Sequence, residues 1–216
     1  MSDGVAVLER IRALRIVPVI VIDDAAQATS LAGALAAGGL PIAEVTFRTS
    51  AAAEAIRRIA GENPDVLAGA GTVLTPRQAR EAVDAGARFI VSPGFGPGVV
   101  DWCLEHGVPV FPGVCTPTEV EMALGKGLST LKFFPAEQAG GVPFLKAIGA
   151  PYGMVKFVPT GGVSAANLGS YLALKNVVAC GGSWMAPAEW IRAGEFERIR
   201  QETARAVAAA EMGGAP

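Results

Sequence analysis

In the stretch LKFFPAE, Leu131 to Glu137, a lysine, Lys132, stands inside an apolar run that ends at Pro135. The ordinary reading of a lysine is a packed stem whose ammonium snorkels to water. With Leu131, Phe133 and Phe134 around it, a Lys132 that points inward has no easy route to solvent, and desolvation then favours the neutral amine. A neutral buried amine attacks carbonyls. The protonated Schiff base that it forms is an electron sink for breaking or making a carbon–carbon bond beside that carbonyl. Lys156, in VKFVPTGG, carries the same group. It lies four residues before Thr160, about 13 Å lower on an extended strand, and is expected to be structural.

In IAEVTFRTS, residues Ile42, Glu44 and Thr46 alternate onto one face of an extended segment, and Arg48 emerges just beyond. A carboxylate between Ala43 and Val45 either neutralises a buried cation such as Lys132 or carries protons for it, and the two roles are compatible. Arg48 reads as a surface charge at a helix start or as a planar fork for a substrate carboxylate. Thr72 in GAGTVLTP and Pro93 in VSPGF fall at the same level, as turn residues or as ligand contacts. Phe134 shares the face of Lys132. Two glycine loops, PTGGVS (Pro159 to Ser164) and CGGSW (Cys180 to Trp184), let the backbone approach an anion closely, and Ser183 adds a hydroxyl. One such dipeptide is ordinary turn chemistry; the pair points to a phosphate.

These groups need a scaffold that brings strand ends together. Eight β-branched runs recur along the chain: IVPVIVI, IAEVTF, DVLAGAG, RFIVS, VPVFPG, TLKFFP, MVKFVPTGG and NVVACGG. Between them lie alanine-rich segments with helix-start signals at Asp24, Thr75-Pro76 and Ser164, and glycines that close them at Gly38, Gly86, Gly107 and Gly125. A strand–helix unit of roughly 20–26 residues predicts an α/β fold, a single (β/α)8 TIM barrel over residues 1–216, with an extra N-terminal helix at Val5–Leu14 and a frayed tail at 211–216. A doubly wound sheet fits less well, because no GxGxxG follows the first strand, which runs into Asp23-Asp24. In such a barrel, chemistry sits at the C-terminal ends of the strands. All the motifs above fall there.

Composition narrows the partners. A net charge of −2 gives no electrostatic reason to expect nucleic acid or an anionic membrane, so a small ligand is the default. Three cysteines without a CxxC exclude a disulfide framework and suit a reducing, cytoplasmic setting. No early apolar run is long enough for a membrane span, and Arg10, Arg12 and Arg15 stand where a signal peptide needs its apolar segment. One histidine, His106, at a helix end in LEHGVP, and no Cys/His cluster argue against a zinc enzyme; nothing calls for Mg²⁺. No metal and no cofactor are expected.

Taken together, EVTFRTSAA, GAGTVLTP, FIVSPGF, PGVCTPTE, LKFFPAE, PTGGVS and CGGSW resemble the 2-keto-3-deoxy-6-phosphogluconate (KDPG) and 4-hydroxy-2-oxoglutarate (KHG) aldolases, a class I Schiff-base family. The resemblance runs from about Val5 through the last strand–helix unit. It implies a homotrimeric (β/α)8 lyase that splits the phosphorylated keto-acid into pyruvate and glyceraldehyde 3-phosphate, the cleavage step of the Entner–Doudoroff route. It makes Lys132 the Schiff-base lysine and Glu44 the proton-transfer carboxylate. Arg48 and Thr72 match the positions that hold the pyruvate carboxylate. Pro93, Phe134 and Thr160 match lining positions, and Gly161, Gly162, Gly182 and Ser183 the phosphate end. The phosphogalactonate aldolases share the lysine and glutamate and differ in the C4 stereochemistry handled; the arginine of EVTFRTS resembles the gluconate branch better. A phosphosugar-binding protein that lost catalysis would lack the lysine, glutamate or arginine, and all three are present. A metal-dependent pyruvate aldolase is separated from the Schiff-base class by EDTA. Full activity after prolonged dialysis against the chelator is the expected outcome, and loss of activity restored by a divalent cation would assign the metal-dependent class.

Overall fold

The β-branched runs form strands in a computed structural model that describes residues 3–212. The strands are β1 (Ile16–Ile20), β2 (Ile42–Thr46), β3 (Leu67–Gly71), β4 (Ile90–Val91), β5 (Val110–Phe111), β6 (Gly113–Val114), β7 (Thr130–Phe133), β8 (Lys156–Pro159) and β9 (Cys180–Gly182). Their pairings are parallel, in a curled six-stranded sheet of order β5-β4-β3-β2-β1-β9 and a three-stranded sheet of order β6-β7-β8. The fifth expected strand thus appears as two pieces, because Pro112 has no N–H to give to a ladder. Its carbonyl still accepts from Lys132 N–H at 3.0 Å, and Phe111 O accepts from Ser92 N–H at 3.4 Å. The 110–114 segment therefore touches both sheets. At the far side, single bridges Phe157↔Val177 and Thr160↔Gly181 join the ends of β8 to the segment around β9.

The helices are α1 (Asp3–Leu14), α2 (Ala28–Ala37), α3 (Ala52–Glu62), α4 (Pro76–Asp84), α5 (Pro97–Glu105), α6 (Pro117–Gly125), α7 (Gly141–Gly149), α8 (Leu168–Leu172), α9 (Ala188–Arg192) and α10 (Phe196–Met212). Local chemistry explains several of their starts. The Thr75 hydroxyl accepts from Gln78 N–H with Pro76 at the first helical position, and Thr116 and Glu119 form a reciprocal capping box at α6. Two expected starts move. The Asp24 carboxylate caps a short 3₁₀ turn, Ala25–Gln27, that precedes α2. Ser164 does not start α8 directly; its carbonyl accepts from Asn167 N–H and Leu168 N–H, and the helix begins three residues after the expected point. The closing glycine of α6 also shifts, since Gly125 is still helical and Gly127 adopts the positive φ of 76°. His106 caps α5 as expected: its ring N–H reaches Trp102 O at 2.7 Å and the two rings stack 4.2 Å apart. The tail is helical through Met212, the remainder lying outside the described residues.

Period-two alternation divides the strand side chains into two apolar layers. Ala43, Val45, Leu131, Phe133 and Phe157 pack outward with Leu35, Ile59, Cys103, Val120 and Leu145 of the helices. On the concave face, Val17, Ile42, Leu67, Phe89, Val91, Phe111, Val158 and Ala179 form a second cluster, closed by Val7 and Ile11 of α1. Among the described residues, no helix is long and apolar enough to cross a membrane. Because Ile11 is 2% exposed at the centre of that closure, Ile11→Ala is expected to destabilise the chain by about 2–5 kcal/mol in urea denaturation. A loss below about 1 kcal/mol would show α1 to be an appendage rather than a floor.

Candidate active site

Lys132 sits on β7 with Gly113 of β6 on one side and Val158 of β8 on the other. Both neighbouring registers place its side chain on the concave face, where it is 5% exposed. Glu44, 3% exposed, projects from β2 between Val19 and Gly69. The two strands are not neighbours, so the side chains meet across the interior: Lys132 Nζ donates to Glu44 Oε1 at 3.3 Å. The ammonium also lies 5.4 Å from the centre of the Phe134 ring, within cation–π range. A carboxylate and an ammonium removed from water each carry a desolvation penalty, which their mutual attraction offsets only while both are present.

Glu44 has its seat because Gly71 has no side chain. A Cβ on Gly71 would lie 2.2 Å from Glu44 Oε1. Thr160, 6% exposed, joins the same cavity, its position opened by Gly181, where a Cβ would approach Thr160 Oγ1 to 2.3 Å. Ile11, Val17, Phe89, Val91, Phe111 and Val158 supply the remaining walls. The result is a nearly all-apolar chamber with an amine, a carboxylate and a hydroxyl turned into it. Such a chamber suits carbonyl condensation, since it keeps water from competing and strengthens every electrostatic contact inside.

The other candidate residues stand around the C-terminal ends of the strands, outside the lining of that chamber. Arg48 is exposed in the turn after β2. Thr72 follows β3 at φ 54°, a left-handed conformation rare for a β-branched residue and of the kind found at ligand sites. Pro93 follows β4, half-buried, beside a cleft with Val73, Leu74 and Phe95. Phe134 is half-buried directly after β7, and its peptide bond to Pro135 is cis. Gly161 and Gly162 adopt φ of 99° and 80°, and their loop is braced by Asn167, which accepts from Ser164 N–H and donates to Gly162 O. Gly182 is buried under the Trp184 ring, and Ser183 is exposed.

Lys156 is the first residue of β8, opposite Thr130 and two residues below the level of Lys132. Its Nζ donates to Lys175 O at 3.0 Å, so it is tied off at the opposite end of the strands, its partner a backbone carbonyl. The cysteines supply no nucleophile. Burial pushes the Cys103 thiol up to about 12, raises that of Cys180 further, and, with the Glu119 carboxylate second, raises that of Cys115. Among the described residues, no group of three or more His, Cys, Asp or Glu side chains could hold a metal ion. Reading the sequence missed the floor of the chamber and the seat of the carboxylate. The signals were present: Val7, Ile11 and Leu14 recur at helical spacing, and GAG in a strand leaves room beside its neighbour.

Residues 7–202 match the family model described as KDPG and KHG aldolase. A 2-dehydro-3-deoxy-phosphogluconate aldolase of Treponema pallidum is 51% identical over 195 residues, covering 90% of this chain and 93% of the relative. A KHG/KDPG aldolase of Escherichia coli K12 is 46% identical over 197 residues, 91% of this chain and 92% of the relative. The crystal structure of a KDPG aldolase from Legionella pneumophila, with pyruvate captured as a covalent carbinolamine, aligns with a TM-score of 0.88 at 42% identity, over 91% of this chain and 96% of that one.

The buried pair makes its own prediction. Glu44→Ala, which strands the ammonium, is expected to lower unfolding stability by about 3–5 kcal/mol, whereas the double change Glu44→Leu with Lys132→Met recovers most of that loss. Additive losses in a double-mutant cycle would show that the two side chains do not act as a pair.

Proposed function

We propose, for a chain that belongs to the KDPG and KHG aldolase family, that Lys132 is the Schiff-base nucleophile of a class I aldolase and Glu44 its proton carrier. The protein is a carbon–carbon lyase that cleaves 2-dehydro-3-deoxy-6-phosphogluconate to pyruvate and glyceraldehyde 3-phosphate, the Entner–Doudoroff cleavage. One observation carries the residue assignment: an amine and a carboxylate 3.3 Å apart, both almost fully buried in an apolar chamber inside the curled sheet.

The chemistry builds on that contact. Lys132 passes a proton to Glu44 and its free electron pair attacks the C2 ketone, giving a carbinolamine. Glu44 returns the proton to the departing hydroxyl, water leaves, and the protonated iminium remains. Glu44, through a water molecule, then takes the C4 hydroxyl proton. The C3–C4 bond breaks, its electrons enter the iminium, and glyceraldehyde 3-phosphate departs. The enamine takes a proton at C3, and hydrolysis frees pyruvate and the amine. Glu44 is the carboxylate that lines the chamber together with Lys132, which supports it as the proton carrier.

Arg48 and Thr72 hold the pyruvate carboxylate in this reading, with Pro93, Phe134 and Thr160 lining the site and Gly161, Gly162, Gly182 and Ser183 receiving the phosphate. Their common place at the strand ends, and the left-handed backbone of Thr72, Gly161 and Gly162, support it. KHG, which lacks the phosphate, is a second substrate by the same steps. We also infer that the two sheets are one eight-stranded barrel in a single domain, supported by the carbonyl bonds on both sides of Pro112 and by the two bridges beyond β8. The family resemblance supports a homotrimer, and three unpaired cysteines suit a cytoplasmic setting.

Borohydride reduction in the presence of pyruvate tests the assignment. The wild type and Lys156→Ala are expected to trap pyruvate covalently, and Lys132→Ala is expected to trap none; trapping that persisted at Lys156 would overturn the nucleophile.

A further inference from the structure

Glu137, the last residue of LKFFPAE, does not enter the chamber, and yet it makes contacts of an unusual kind for an exposed carboxylate. Its Oε1 accepts a hydrogen bond from the Tyr171 hydroxyl on α8. Its N–H donates to Gly161 O at 3.0 Å, next to Ala136 N–H on Thr160 O at 2.8 Å. Its stem packs against the next glycine so closely that a Cβ on Gly162 would lie 2.6 Å from Glu137 Cβ and Cγ. Tyr171 is fully buried in the outer core. Burial first, and the Glu137 carboxylate second, hold its hydroxyl well above the ordinary phenol range, so it stays a donor. The Gly161–Ser164 loop is therefore bracketed. The segment that leaves β7 grips its beginning, α8 anchors its far end, and one carboxylate–phenol bond joins the two grips.

We infer that Glu137, through the Tyr171 hydroxyl, is a positioning residue that sets the Gly161–Ser164 loop for the substrate's phosphate and holds it at a fixed distance from Lys132. The inference rests on the reading of that loop as the phosphate end. A loop whose backbone N–H groups must meet an anion works best when its geometry is set before binding, because ordering it on binding would subtract from affinity. Glu137 touches both that loop and the segment leaving the strand that bears the nucleophile, so phosphate position and ketone position become one rigid relation. Neither Glu137 nor Tyr171 needs to touch substrate for this.

Steady-state kinetics on two substrates tests it, one with the phosphate and one without. Tyr171→Phe and Glu137→Ala are each expected to raise KM for 2-dehydro-3-deoxy-6-phosphogluconate about tenfold, the scale of one hydrogen bond to a charged group. On KHG, kcat/KM should stay within about twofold of wild type, since the loop then has no phosphate to place. Glu137→Gln, whose amide oxygen still accepts from the phenol, should recover most of the loss. Equal losses on both substrates would show a general structural role and overturn the inference, as would unchanged KM values or failure of Glu137→Gln to recover. Inorganic phosphate as a competitive inhibitor separates the two levels. If it competes equally well in the wild type and in the variants, positioning by Glu137 is wrong while the phosphate end stands. If it does not compete and the wild type treats both substrates alike, the phosphate end itself is wrong and the inference falls with it.

Discussion

The structure turns on keeping one ammonium and one carboxylate out of water within 3.3 Å of each other. Each group would be costly to bury without the other. Their pairing makes tolerable an interior that is otherwise hydrocarbon, and in the proposed function the same pair performs the chemistry. The same contact thus carries a stability requirement and, in the proposed function, a chemical one. Much else is subordinate to it: Gly71 makes room for the carboxylate, Gly181 makes room for Thr160, and Ile11 closes the space below.

Parallel pairing sets which level each residue reaches. Since register fixes Lys132 opposite Val158 and Lys156 opposite Thr130, two lysines on adjacent strands and on the same face end up at different heights. The higher one meets Glu44, and the lower one is tied to the Lys175 carbonyl. A shift of one residue would turn either side chain into the outer core, where no polar partner waits for it. Which lysine reaches the carboxylate depends on height along the strand as much as on residue type.

The strand ends carry a different kind of order. Around the dry chamber stand a threonine in left-handed backbone, a glycine loop braced by Asn167, and the Glu137–Tyr171 pair. Asn167 bonds backbone within five residues, whereas the Glu137–Tyr171 bond joins side chains 34 residues apart. In the proposed function the chamber supplies reactivity and the rim supplies recognition.

Period-two alternation in IAEVTF and TLKFFP was enough to put Glu44 and Lys132 each on one face with Thr46 and Phe134, because a strand's side-chain period is a local property. The helix cap at Thr75 was legible for the same reason: the bond that makes it lies within four residues. Pro112 could have warned that the fifth strand would split. The pairing of Glu44 with Lys132 was legible only as a match of charges, and the seat at Gly71 and the floor from α1 only as faint spacing signals, while the clasp between Glu137 and Tyr171 was not legible. The chain by itself determined which residue types could react and the period that turns them inward. The tertiary structure decided which of them touch, because distance across a curled sheet depends on strand order, register and the side chains missing at glycines, and none of these is encoded in any one segment.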